Sequence, residues 1–474
     1  MNKWLKNDLE FIWHPYTQLK DALMSPPILI KMARGIKLYD NQGNFYYDTI
    51  SSWWCNVHGH NHPKIKTAIK KQLNSLEHVL FAGFTHEPAI LLARKLISLS
   101  PGRLTKVFFS DNGSTAVEVA LKMSFQYWQN IGEVKKTKFV ALDYGYHGDT
   151  IGTMSVSGLD LFNKVFSPLF FPSFKVPSPY CYRCPMHKEK NTCDIDCITP
   201  LENLLKEKSE IISAIILEPM VMAAGGMIIY PKEYLLKAEN LAKKFNVHLI
   251  LDEVATGFGR TGKMFACEYV NNAAPDFLCL SKGLTAGYLP LAATLTTEKI
   301  YKAFYADYRE NKTFYHGHTY TANPLSCSAA LASLELFKEE ETLNRIKKIM
   351  PLFHAGMERF RDLPLVGDVR YIGLIGAIEL VKDRLTKKSF GFQERIGLEV
   401  YKRALKRNLI LRPLGNIIYL FLPLCIKRNE LQDVLNRTYA VINSLSLIGL
   451  NRDSDYFSKK SRREAPYFRK RLEK

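Results

Sequence analysis

Two short apolar runs, at 247–251 and 277–280, each end in a charged or polar pair, Asp252-Glu253 after the first and Ser281-Lys282 after the second. Between them lies a loop punctuated by glycine, so that the whole stretch reads VHLILDEVATGFGRTGKMFACEYVNNAAPDFLCLSKG. Runs this brief and this uniformly apolar predict strands covered on both faces, as in a parallel sheet flanked by helices. Polar residues at the carboxyl ends of such strands face the crevice in which open α/β sheets bind ligands. An acid and a lysine are thereby predicted to share one crevice.

The rest of the chain agrees with that sheet. Strand patterns at 106–110, 139–142 and 211–217 alternate with helix patterns at 114–128 and 231–245, which predicts a mostly parallel sheet with helices on both faces. From 323 a long helical region leads away, and the pattern becomes α+β, with an apolar stretch at 369–380, a helix at 396–406 and strands at 409–411 and 417–422. We therefore expect four parts. Residues 1–60, with a hairpin turn at Asp40-Asn41-Gln42-Gly43, contribute to a smaller domain and to the site. Residues 61–330 form the large domain, 331–450 the smaller C-terminal domain, and 451–474 a basic tail.

Several function classes lose ground on composition. No run of eighteen apolar residues is present and the N-terminus lacks an apolar signal segment, so neither a membrane span nor secretion is expected. Cysteines such as Cys267 and Cys279 are scattered through apolar contexts and suit the reducing cytosol. The formal charge of +19 is spread along the chain rather than clustered, which argues against nucleic acid as a partner. The tail, FSKKSRREAPYFRKRLEK, reads as a solvated extension, with RNA or membrane contact as the alternative.

Asp252 and Lys282 suit one chemistry above others. A carboxylate that keeps a ring nitrogen protonated makes that ring an electron sink, and a lysine can form an imine with an aldehyde, which is the pyridoxal phosphate arrangement. A phosphate needs backbone donors, and Ser110-Asp111-Asn112-Gly113-Ser114 lies between a strand and a helix start, where Gly113 and Ser114 offer amides and a hydroxyl. The same residues also read as an ordinary helix cap. Tyr144-Gly145-Tyr146-His147-Gly148-Asp149-Thr150 follows the next strand, and an aromatic there can stack on a cofactor ring.

DEVATGFGRTG followed by SKG resembles the signature of the class III aminotransferases. The resemblance implies a fold type I pyridoxal-phosphate transferase, with a seven-stranded sheet in the large domain beside a smaller α+β domain. It also implies catalysis by Lys282 and Asp252, stacking by Tyr146 on the cofactor, and a homodimer in which Thr319 reaches the phosphate of the neighbouring subunit's cofactor. His318 stands where the resembled sequences have proline. Glu218 is expected behind the site, and Arg260 in a structural role or an outer substrate contact.

Three further motifs, WHPYTQ, SSWWCNVHGHNHP and LRPLGNIIYLFLP, resemble the biotin-pathway branch of that family. This implies amination of 8-amino-7-oxononanoate, with S-adenosylmethionine the usual donor, and a substrate pocket built from Tyr16, Trp53 and Arg412 together with Tyr146 and Lys282. The chemistry is consistent, because a long keto acid ending in a carboxylate needs an aromatic trough and an arginine fork. Lysine as donor, or another ω-amino acid or diamine as substrate, is the alternative, and a non-catalytic RNA-binding protein a remote one. His58, His60 and His62 alternate, but the intervening glycine and following proline fit a turn better than a metal site.

One insert stands apart. Cys181, Cys184, Cys193 and Cys197 have a spacing compatible with a structural four-thiolate zinc site, with reduced thiols in a loop as the alternative.

Overall fold

The computed structural model describes residues 3–446. The basic tail expected at 451–474 lies outside the described residues. Seven strands form the central sheet, in the spatial order Leu104–Ser110, Ala292–Thr297, Phe277–Leu280, His248–Asp252, Ile212–Leu217, Lys138–Leu142, Phe174–Val176. His248–Asp252 pairs in parallel with both neighbours, and every residue of it is buried, as its apolar run predicts. The chain is thus the expected α/β fold with helices such as Gly113–Asn130 and Lys232–Lys244 covering the sheet.

One strand runs against the rest. Ala292–Thr297 is antiparallel to both of its neighbours. Its sequence, AATLTT, lacks the apolar run of a buried strand, so its pattern does not single it out. It can be buried because its hydroxyls are satisfied: Thr294 donates to the Ala116 carbonyl at 2.7 Å and Thr296 to that of Asp276 at 3.0 Å.

Two smaller sheets bring distant parts of the chain to the crevice. Ile375–Asp383 pairs antiparallel with both Val366–Ile372 and Ile417–Phe421. Ile30–Arg34, Lys37–Asp40 and Phe45–Asp48 form a meander whose last strand is joined in parallel by Leu409–Ile410. That pairing sets Arg412, two residues past the joining strand, beside the turn that follows Asp48. Among the described residues no helix is long and apolar enough to cross a membrane.

Candidate active site

The carboxyl ends of the parallel strands open on one cavity of about 530 Å3, lined among others by Gly113, Ser114, Tyr146, Asp252 and Lys282. Asp252 ends its strand with one carboxylate oxygen 2.8 Å from His147 Nδ1 and the other accepting the Val254 amide at 3.0 Å. Those two bonds fix the plane of the carboxylate and leave lone pairs free for a ring nitrogen in the cavity.

Lys282 follows the neighbouring strand at φ 45°, in the left-handed region that a side chain other than glycine rarely adopts. Its ammonium lies 4.6 Å from the centre of the Trp54 ring. Burial pushes its pKa down, against the opposing pull of the Asp252 and Glu218 carboxylates. A lysine whose pKa is pushed down by burial is suited both to bonding a carbonyl carbon and to moving protons.

Glu218, just beyond Ile212–Leu217, is buried and accepts the amides of Tyr146 at 3.1 Å and Ala223 at 2.9 Å. Burial, reinforced by the charge of Asp252, pushes its pKa up to about 8. It therefore holds the Tyr146 loop from the cavity wall.

The long helix Gly113–Asn130 points its N-terminus into the cavity. Asn112 caps it, accepting the Thr115 amide at 3.1 Å, while Gly113 and Ser114 line the cavity itself. A Cβ at Gly113 would come within 2.5 Å of the Val254 side chain, so the helix start and the residue after Asp252-Glu253 close on each other as a cradle that needs glycine. A helix N-terminus able to take an anion, a carboxylate, a buried lysine and an aromatic face together fit pyridoxal phosphate.

The predicted substrate residues assemble at the mouth. Trp53 and Trp54 split as neighbours with opposite duties: Trp54 is buried, stacked on Phe421 at 5.6 Å, and Trp53 is 39% exposed. Tyr16 packs edge-on to Trp53 at 5.6 Å, and the Arg412 guanidinium sits 4.5 Å above the Trp53 ring. Asp149, which sequence reasoning passed over although it follows His147 and Gly148 directly, accepts a hydrogen bond from the Tyr16 hydroxyl at 2.7 Å.

Trp53 is held there by an unusual turn. Ser51, Ser52, Trp53 and Trp54 all have φ between 46° and 74°, four left-handed residues in succession without a glycine. Asp48 accepts the Ser52 amide at 2.8 Å and hydroxyl at 2.7 Å. Arg260, fully buried, donates to Ser51 Oγ and to the carbonyls of Trp54, Asn56 and Leu422 at 2.9–3.1 Å. Its guanidinium is thus spent on backbone rather than aimed at the mouth.

Thr319 is exposed and does not line this chain's cavity. The zinc site is not upheld. Cys181, Cys184, Cys193 and Cys197 line one small apolar cavity, yet among the described residues no three His, Cys, Asp or Glu are placed to hold a metal ion. Burial pushes the Cys197 thiol up to about 12, which opposes the thiolate that zinc requires. The three histidines likewise go separate ways, His58 to the Ser333 carbonyl, His60 to Asp48 and His62 to Glu340.

Comparison with known proteins agrees with this geometry. Residues 20–442 match the aminotransferase class-III family. The adenosylmethionine-8-amino-7-oxononanoate aminotransferase of Geobacter sulfurreducens is 46% identical over 90% of this chain and 94% of its own length. The crystal structure of the enzyme of that name from Methanocaldococcus jannaschii superposes with a TM-score of 0.89 at 43% identity, covering 93% of this chain and 98% of that one. The omega transaminase of Pseudomonas jessenii, solved in complex with PMP, also gives 0.89, at 31% identity over 94% and 99% of the two chains.

Proposed function

This chain belongs to the class III aminotransferases, and within that family we propose that it moves the amino group of S-adenosylmethionine to 8-amino-7-oxononanoate, giving 7,8-diaminononanoate for biotin synthesis. Its cofactor is pyridoxal 5′-phosphate, which supplies an electron sink and carries the amino group between the two substrates. The observation that carries the choice of acceptor is the guanidinium of Arg412 lying on Trp53, with Tyr16 packed edge-on against the same ring.

Each residue then has a task. Asp252, oriented by His147, keeps the ring nitrogen protonated. Lys282 Nζ takes the α-proton of the donor and, in the second half-reaction, delivers a proton to C7 of the keto acid. Trp53 and Tyr16 exclude water from the aliphatic chain, and Arg412 forks onto the terminal carboxylate. Gly113 and Ser114 receive the phosphate. Thr319, exposed on its own chain, serves the phosphate of a partner subunit, so the active unit is a homodimer.

The test is spectroscopic. Purified protein should carry the visible band of lysine-bound cofactor, lose it on addition of S-adenosylmethionine and regain it on addition of 8-amino-7-oxononanoate. Loss of the band with lysine instead would change the donor and keep the acceptor. Failure of 8-amino-7-oxononanoate to restore it would overturn the proposal.

A further inference from the structure

The loop behind Tyr146 carries an aromatic side chain that neither the motifs nor the cavity floor single out. Gly158 is locked to the Tyr144 turn: the Tyr144 amide donates to the Gly158 carbonyl at 2.9 Å, and the Gly158 amide to that of Gly145 at 2.8 Å. A Cβ at Gly158 would lie 2.4 Å from the Leu142 carbonyl oxygen, so this close approach admits only glycine. Two residues on begins the short helix Asp160–Asn163. Buried Asn163 fastens it, donating to the carbonyls of Ser157 at 3.2 Å and Met154 at 3.4 Å.

Phe162 is thereby placed against two tyrosines of the trough. Its ring meets Tyr16 edge-on at 5.4 Å and Tyr146 edge-on at 6.3 Å. Tyr16 in turn meets Trp53 at 5.6 Å. Edge-to-face contacts of this kind hold rings in fixed relative orientation. The result is a continuous aromatic frame, Trp53, Tyr16, Phe162 and Tyr146, in which Phe162 touches both tyrosines and Tyr16 joins it to Trp53.

We propose that Phe162 is a specificity-determining residue, the wall that sets the width of the trough for the aliphatic chain of the keto acid. The inference rests on the acceptor argued above, and deepens it. Widening the trough leaves the chain under-packed; overfilling it excludes the chain. Both substrates react at Lys282, but it is the keto acid that lays a long aliphatic chain along this wall, so the donor half-reaction is spared.

The two half-reactions, followed separately on the holoenzyme by loss and recovery of the visible band, test this. Phe162→Ala should lower kcat/KM for 8-amino-7-oxononanoate by about tenfold, the cost of poorly filling an apolar pocket, while the S-adenosylmethionine half-reaction stays within about twofold of wild type. Phe162→Trp keeps an aromatic ring in the frame, guards against a folding defect in the smaller variant, and should lower the same constant by narrowing the trough. An acceptor half-reaction within about twofold of wild type in both variants, or equal loss in both half-reactions, would overturn the proposal. Wild-type protein that turns over with S-adenosylmethionine but not with 8-amino-7-oxononanoate would instead overturn the acceptor assignment, and the wall's stated role with it.

Discussion

His147 Nδ1 lies 2.8 Å from Asp252 Oδ2, with both residues buried in the wall of the cavity. Since a carboxylate only accepts, the imidazole donates from Nδ1, and this bond fixes the rotamer of the residue on which the cofactor's ring nitrogen depends. His147→Asn should fold, because the pair lines the cavity and is not part of the central apolar core. A buried acceptor deprived of its donor costs about 1–3 kcal/mol, so kcat should fall on the order of 10- to 100-fold. A pH titration of the cofactor's visible band should shift with it, and an unchanged kcat would show that Val254's amide alone suffices to orient Asp252.

Lys282 and Asp252 themselves should be far less forgiving. Lys282→Ala removes the proton carrier and should abolish turnover, with loss of the lysine-bound cofactor band. Asp252→Asn keeps the shape and removes the charge, and should lower kcat by about 10³-fold, as expected of a group acting mainly in the transition state. Steady-state rates and absorption spectra check both, and near-normal rates in the lysine variant would sink the assignment.

Arg412 lies over Trp53 and makes none of the ion pairs found among the described residues. It is available for a carboxylate. Arg412→Leu should raise KM for 8-amino-7-oxononanoate by roughly 10- to 100-fold, the worth of a charge-assisted fork of about 1.5–3 kcal/mol, with little change in kcat. Initial rates at varied acceptor concentration decide it.

Glu218 makes the stability of the protein depend on pH. Its pKa, pushed up by burial to about 8, exceeds the ordinary carboxyl value, so the folded state holds its proton more tightly than the unfolded chain. Stability should therefore fall as pH rises from about 4.5 to about 8, by a few kcal/mol at most. Glu218→Gln cannot ionise, and its Tm should vary less with pH across that window. Parallel Tm curves for the two proteins would place the pH dependence elsewhere.

Much of this was readable from the chain, for definite reasons. His248–Asp252 and Phe277–Leu280 are buried on both faces, which demands uninterrupted apolar sequence and makes their ends conspicuous. Ala292–Thr297 was opaque because hydrogen-bonded threonines replace its apolar signal. Asp149 and Phe162 escaped because their importance lies in what they touch, Tyr16, more than a hundred residues away along the chain. The cysteine spacing misled, since spacing reports which thiols can meet and not whether they are set to hold an ion.

The left-handed turn at Ser51–Trp54 is the costliest backbone at the site, and Arg260 is what holds it. Each left-handed residue other than glycine costs about 1–2 kcal/mol, so four in a row persist only where other contacts impose them. The guanidinium supplies donors to Ser51 Oγ and to the carbonyls of Trp54, Asn56 and Leu422, gathering both ends of the turn and the segment that follows Ile417–Phe421. A lysine cannot reach four acceptors in one plane. Arg260→Lys should therefore lower stability by about 2–4 kcal/mol, the cost of leaving one or two buried carbonyls unpaired. It should also release Trp53 from its place beneath Arg412, so that KM for the acceptor rises along with the fall in Tm. A drop in Tm with an unaltered acceptor KM would mean that Tyr16 and Arg412 hold Trp53 in place without the turn.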